Sequence, residues 1–284
     1  MTAPRLKANN PLLTHLRQAI EAKNYTLPTL PESALKLKKA LADPFIQSSQ
    51  LTKLLSTDPV LVGRLLQTAN SPLFRGLAKI SDLNTAVTRL GLSCIQNLVM
   101  SLTVSALYRN SGKTWMRDKL LSAWNDSIKI AALSEVIARR YPNLEQSEAL
   151  LIGLIHNIGI VPIVHLCGSK YGKPEHPEIL DDAILKLTPT LSKWILEKWQ
   201  LNRRLTPVPE LIADLKRTHD GPPDYADIVQ VARLHVYRNK QHPLGQVPWA
   251  QVPAFDKLQL TPEKSIQIIK EARDEIKEVI SLFQ

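Results

Sequence analysis

From Leu90 to Tyr108 the chain reads LGLSCIQNLVMSLTVSALY, an unbroken stretch without one charged side chain. A run of this kind is either a membrane span, which needs about 20 apolar residues, or a helix enclosed by other helices. Gln96, Asn97 and several hydroxyls lie inside it, and they favour the enclosed helix over the membrane. The composition agrees: hydrophobic residues make up 44% of the 284, leucine and isoleucine dominate, and glycine occurs only 10 times. That is enough apolar material for a core and too little turn chemistry for a β-sandwich. Alternation of period two, the mark of a half-buried strand, is nowhere sustained. The expected fold class is all-α.

Start and stop signals divide the chain. TLPTLPESALKLKKALAD opens with extended X-Pro steps and predicts a helix from Pro31 carrying Ala34, Leu35, Leu37 and Leu41. SSQLTKLLST gives a short second helix with Leu51, Leu54 and Leu55 on one side. In STDPVLVGRLLQTANSPLF, Asp58 is the natural N-cap and Pro59 the first helical residue, followed by Leu61, Leu65, Leu66 and Ala69, with Asn70-Ser71-Pro72 as the stop. Ser81 or Asp82 caps the next helix, which breaks at Gly91 before the long apolar one. SGKTW (Ser111–Trp115) reads as a connection, and further helices are predicted at roughly 115–140, 145–156, 158–167, 178–187, 189–200, 207–218 and 224–239. The repeated prolines of HPLGQVPWAQVPAF (His242–Phe255) predict a loop without regular helix. Beyond it, Thr261 caps one amphipathic helix with Pro262 first and a stripe of Ile266, Ile269, Ile276, Ile280 and Leu282 or Phe283, expected to dock on the body.

The net charge of +10 permits contact with nucleic acid, an anionic nucleotide or an acidic partner. The basic residues are scattered, with no run longer than Lys38-Lys39, Arg139-Arg140 or Arg203-Arg204, and no nucleic-acid-binding signature accompanies them, so a solvated basic surface is favoured. Cys94 and Cys167 lie in apolar runs without metal-ligand spacing and read as reduced core thiols of a cytoplasmic protein. No N-terminal signal is read in MTAPRLKANNPLL. Gly-rich dinucleotide and phosphate loops, the Gly-x-Ser-x-Gly elbow and Cys-x-x-Cys are all missing from the sequence. Trp194 and Trp199, with Lys193, Lys198, Arg203 and Arg204 around them, read as packing anchors rather than an aromatic-basic patch. His165 follows His156 by too many residues to share a helical face, and His176, His219, His235 and His242 read as dispersed loop or surface residues.

Several ordered segments resemble the HDOD family, bacterial regulatory domains related to the HD-domain metal phosphohydrolases but usually lacking their catalytic residues. LPTLPESALKL, LLSTDPVLVGRLLQTANSPLF and ISDLNTAVTRLGLSCIQNLVMSL resemble its opening Leu-Pro-x-Leu-Pro, Asp-Pro…Ala-Asn-Ser and Leu-Gly…Asn-Leu signatures. AWNDSIKIAALSEVIAR, SEALLIGLIHNIGIV and LSKWILEKWQL resemble its Trp-x-His-Ser, Leu-Leu-His-Asp-Ile-Gly and Leu-Leu-x-x-Trp segments. The resemblance covers about residues 25–240. It implies an N-terminal helix (1–24), an N-terminal helical lobe (25–112), a degenerate HD-like helical bundle (113–240), and a Pro-rich loop with a C-terminal helix (241–284) outside the match.

The resemblance also locates a site. Where the hydrolytic relatives place a first histidine, a His-Asp dyad and a late aspartate, this chain has Asp126, His156 with Asn157, and Arg233; near Thr188, where a further histidine would fall, there is none. Neutral imidazoles and carboxylates together hold a dication and lower the pKa of its bound water. An asparagine oxygen is neutral, and an arginine repels a cation. The expectation is therefore no metal, no cofactor and no catalytic residue, with His156-Asn157 a buried polar pair bonded to Asp126. The expected function is a non-catalytic regulatory module that works through a protein partner or a bound nucleotide or anion. The resemblance ties such modules to two-component or cyclic-dinucleotide signalling; no receiver, GGDEF or EAL segment is read here, so the module is expected to act alone or with a separate partner. Two alternatives stand beside it: a phosphohydrolase rebuilt around Asp126, His156, Asn157 and His219 or His235, and a nucleic-acid-binding regulator.

Overall fold

The computed structural model describes residues 11–22, 27–41, 43, 46–71, 74, 79–109 and 113–283, and among them every regular element is a helix. In chain order these are α1 (Pro11–Glu21), α2 (Glu32–Leu41), α3 (Ser48–Leu55), α4 (Pro59–Ala69), α5 (Leu83–Arg109), α6 (Thr114–Ala138) and α7 (Gln146–Ile155). There follow α8 (Ile160–Lys170), α9 (Pro177–Lys198), α10 (Val208–Leu211), α11 (Tyr225–Tyr237), α12 (Pro253–Lys257), α13 (Pro262–Glu271) and α14 (Arg273–Phe283). Residues 1–10, 23 and 24 of the expected N-terminal helix, Pro72 of the expected stop, and Ser111-Gly112 of the expected connection lie outside the described residues.

The capping chemistry places the helix starts. The Asp58 carboxylate accepts from Leu61 N at 3.0 Å with Pro59 next to it, Asp82 accepts from Thr85 N at 2.8 Å, and Thr261 Oγ1 from Lys264 N at 3.1 Å. Each satisfies an amide that a helix leaves open at its N-terminus. Gly91 interrupts α5 with φ 78°, ψ 163°, so the uncharged stretch begins a new axis there. α6 is the hub, packed against α5, α7, α8, α11, α13 and α14, while α5 gathers α2, α3 and α4. One apolar cluster runs from Leu30 to Phe283 across the expected boundary at residue 113. α1 packs on α8 and α9, where its Leu16 sits with Ile163, Leu166, Leu180 and Leu191. Trp199 is buried and its Nε1 donates to the Pro28 carbonyl at 2.9 Å, the packing role expected of it. Leu83–Arg109 and Gln146–Lys170 are long and apolar enough by composition to cross a membrane, but 89% of the second's most apolar part and 44% of the first's is buried in the bundle, as in a core helix.

Four expectations are corrected. The helices predicted at 178–187 and 189–200 are one, α9, with Pro189 inside it. Pro189 deprives the Leu185 carbonyl of its donor, and Leu185 is 45% exposed, so water can take that place. The helix predicted at 207–218 shrinks to α10, because Gln230 and Arg233 of α11 capture the carbonyls needed to prolong it: Gln230 Nε2 reaches Asp214 O at 2.6 Å and Arg233 Nη1 reaches Ile212 O at 2.9 Å. The Pro-rich stretch winds two 3-10 turns, Pro243–Gln246 and Trp249–Gln251, and the start of α12, since proline is tolerated at a first helical position. The C-terminal helix is two helices hinged at Ala272 (φ −87°, ψ 13°). The hinge rotates the buried face onto Ile268, Val279, Leu282 and Phe283 and leaves Ile266, Ile269, Ile276 and Ile280 half-buried. Docking on the body holds: Arg139 pairs with Glu275 and Trp124 Nε1 donates to the Phe283 carbonyl at 3.3 Å. Within α2, Ala34 and Leu37 are buried while Leu35 is 40% exposed.

Candidate functional site

Two glycines set the depth of the His156-Asn157 pair. A Cβ on Gly153 would meet Ala131 Cα of α6 at 2.4 Å, and one on Gly159 would meet the Thr188 carbonyl of α9 at 2.6 Å. No side chain fits at either position, so α7 closes on α6 and the start of α8 closes on α9, with Gly159 N donating to Ser192 Oγ at 2.9 Å. The polar pair occupies the turn between these contacts.

His156 ends α7 and is 4% exposed. Its Nδ1 lies 2.8 Å from the Gly153 carbonyl, an acceptor, so Nδ1 carries the proton of the neutral ring. Burial, and after it the charge of Arg233, pull its pKa down to about 3, and the ring is neutral at pH 7. Asn157 Oδ1 accepts from Tyr108 OH at 2.8 Å and from Ser127 Oγ at 3.0 Å. Burial raises the Tyr108 pKa, which keeps that hydroxyl a donor.

The expected bond from the pair to Asp126 is replaced by one to its neighbour. Successive helical residues point about 100° apart, so when Ser127 faces Asn157 the Asp126 side chain turns aside. It meets Lys240 Nζ at 2.6 Å, with Lys129 Nζ at 3.9 Å. Arg233 of α11 donates from Nη1 to the Ile212 carbonyl, and its Nε is enclosed without an acceptor. Desolvation pulls the Arg233 pKa down. The charges of both Arg233 and Asp126 act on the Tyr237 and His242 rings, which stack at 3.9 Å. The four positions singled out by sequence thus share one neighbourhood, although Asp126 and Arg233 do not pair.

A divalent cation does not fit here. His156 keeps a lone pair on Nε2, but the Asn157 oxygen is neutral and held by two hydroxyls, Asp126 is bound to an ammonium, and the charge of Arg233 acts on the His156 ring. The alternative histidines belong elsewhere. His235 lies on α11, not in a loop; its Nε2 is 2.9 Å from Ser265 Oγ, its ring meets Trp249 edge-on at 4.5 Å, and burial lowers its pKa to about 4. His242 is half-buried against Tyr237 rather than free on the surface. His219 Nε2 sits 2.9 Å from Asp227, and with Asp224 these groups could together hold a cation, their ligand atoms lying within 4.8 Å of one another. Arg217 already stands among them, 3.0 Å from Asp227 and bonded to Asp224, and Asp224 caps α11 by accepting from Ala226 N and Asp227 N. A guanidinium and a helix N-terminus supply the positive charge that an ion would bring. Cys94 and Cys167 are free thiols, as expected, with burial raising both pKa values, Cys94 to about 11.

Sequence reasoning missed Tyr108, Ser127 and Lys240. Tyr108 had a usable signal: it closes the uncharged stretch, and a buried tyrosine hydroxyl usually finds a polar partner.

The HDOD domain model matches residues 27–211, more than half of the chain. The chain belongs to the HDOD family. An uncharacterized protein of Treponema pallidum (strain Nichols) is 23% identical over 89% of this HDOD chain, which spans 50% of that relative's length. Among solved structures, a Shewanella amazonensis SB2B protein provisionally named a metal-dependent phosphohydrolase superposes with TM-score 0.83 at 22% identity, covering 96% of this chain and 98% of the other. An HDOD domain protein of unknown function from Geobacter sulfurreducens gives 0.65 at 20%, covering 95% and 96%. A Marinobacter aquaeolei VT8 protein provisionally named for signal transduction gives 0.62 at 18%, covering 98% and 68%. At these identities the likeness shows the fold, a helical bundle of the HD-like kind.

Proposed function

We propose that this HDOD chain is a non-catalytic regulatory module of the bacterial cytoplasm, acting through contacts with a signalling protein or through a bound ligand. The observation that carries the reading is the occupation of Asn157: its oxygen accepts from Tyr108 and Ser127 while the guanidinium of Arg233 faces the same region. A metal hydrolase needs negative charge at these positions to bind a dication and to acidify its water. Here Asn157 is neutral and Arg233 positive, and the polar groups hold α5, α6 and the α7–α8 turn in register. A buried polar network of this sort gives uniqueness to a core rather than chemistry.

The test is elemental analysis of the purified full chain, followed by assay with a generic phosphodiester in added manganese. The expected result is no stoichiometric iron, manganese or zinc and no turnover. A stoichiometric ion lost on mutating His156 overturns the reading and makes the chain a phosphohydrolase.

A further inference from the structure

Arg233 is a guanidinium without a carboxylate. Among the described residues no Asp or Glu forms an ion pair with it, and Nη1 is its one bonded nitrogen, to the Ile212 carbonyl at 2.9 Å. Of its other two nitrogens Nη2 is also unpaired and, unlike Nε, is not sealed from solvent. Nε is enclosed and lacks an acceptor. The nearby Asp126 is held by Lys240 at 2.6 Å with Lys129 at 3.9 Å, and Asp181, which bears more weakly on His242, is bound by Lys119. Positive charge therefore exceeds negative charge in this neighbourhood. An uncompensated charge taken out of water is costly to keep.

The flanking groups are also donors. His242 Nδ1 accepts from Leu244 N at 3.1 Å, so the neutral ring carries its proton on Nε2. Lys240 Nζ lies 5.1 Å from the centre of the Tyr237 ring, which stacks on His242. Arg233, Tyr237, Lys240 and His242 are each only partly buried, and with Nε sealed a solute reaches the guanidinium at Nη2. His156 is different: its Nδ1 proton is turned to Gly153 and it offers no donor.

We propose that Arg233, flanked by Lys240 and His242, binds a phosphate-type oxyanion. A tetrahedral anion gives one oxygen to Arg233 Nη2 and keeps others for Lys240 and His242. The site rests on the non-catalytic reading, since here the anion meets the protein directly and not through a cation.

The experiment uses the full chain with chelator present and inorganic phosphate as the probe, followed by ³¹P line broadening and by thermal unfolding in phosphate against chloride at matched ionic strength. Saturable broadening and a higher Tm in phosphate are expected. Arg233→Met should weaken phosphate at least about tenfold and unfold at the same temperature in both salts; undiminished binding by this variant overturns the site. If Arg233→Met does not fold, the unaltered chain decides, because absence of saturable broadening overturns the site by itself. Competition with adenosine 5′-monophosphate separates the sources: displacement at lower concentration than by the free ion assigns a phosphate ester, and equal or weaker displacement assigns the free ion. Phosphate bound only after manganese is added overturns the non-catalytic reading as well, whereas no binding with or without manganese removes the site alone.

Discussion

Arg217 precedes α11 and Arg233 lies within it, and the chain treats them in opposite ways. Arg217, in the loop before α11, meets Asp224 and Asp227, and those carboxylates also cap the helix and touch His219. Arg233, within α11, meets a single backbone carbonyl. The first arrangement closes on itself and has nothing left to offer a ligand. The second leaves Nη2 unpaired beside a lysine and an imidazole. Cationic residue type alone therefore says little about binding; what matters is whether the fold brings an acid to it.

Three changes probe this contrast. The largest effect is expected for Arg217→Met, which strips the charge partner from Asp227, only 2% exposed at its side chain. Removing one member of a buried pair costs about 3–5 kcal/mol, read as a lower urea midpoint; a loss no greater than that of Arg233→Met would erase the distinction between the two arginines. A third arginine, Arg139, gives an intermediate case, paired with the fully buried Glu135. Burial outweighs that pairing and raises the Glu135 pKa from 4.5 to about 7. As pH rises from 5 to 8 the unfolded chain gives up this proton before the folded one, so stability falls, on the order of 2 kcal/mol at about 1.4 kcal/mol per pKa unit. Glu135→Gln should flatten that slope; an unchanged slope would mean that Arg139 holds the carboxylate ionised. The smallest effect belongs to Lys240→Met. Its partner Asp126 is 16% and Lys240 itself 39% exposed at the side chain, and such a surface pair contributes under about 1 kcal/mol. Stability should hardly move, while phosphate affinity falls.

Much of this was legible in the chain because it is local. Asp58 before Pro59, Thr261 before Pro262 and Gly91 inside an apolar run each act within one helical turn, and each does what its chemistry dictates. The place of the site was partly legible too, since His156 and Arg233, singled out from the sequence, come near enough for the charge of one to act on the other. What stayed hidden depends on partners far along the chain. Pro189 reads as a break, but α9 absorbs it because the orphaned carbonyl belongs to an exposed residue. Residues 207–218 carry a helical pattern, and carbonyl capture by Gln230 and Arg233 ends it early. The bond from Asn157 to Ser127 rather than Asp126 turns on one step of helical phase that fixes which side chain faces in.

Trp124 stands at a junction worth exploiting. Its indole lies 5.0 Å from the ring of Tyr108, whose hydroxyl holds Asn157, and its nitrogen is tied to the carbonyl of Phe283. With the other four tryptophans of the chain replaced by phenylalanine, emission from this fluorophore should report both on loosening of the last helix and on any rearrangement around the asparagine.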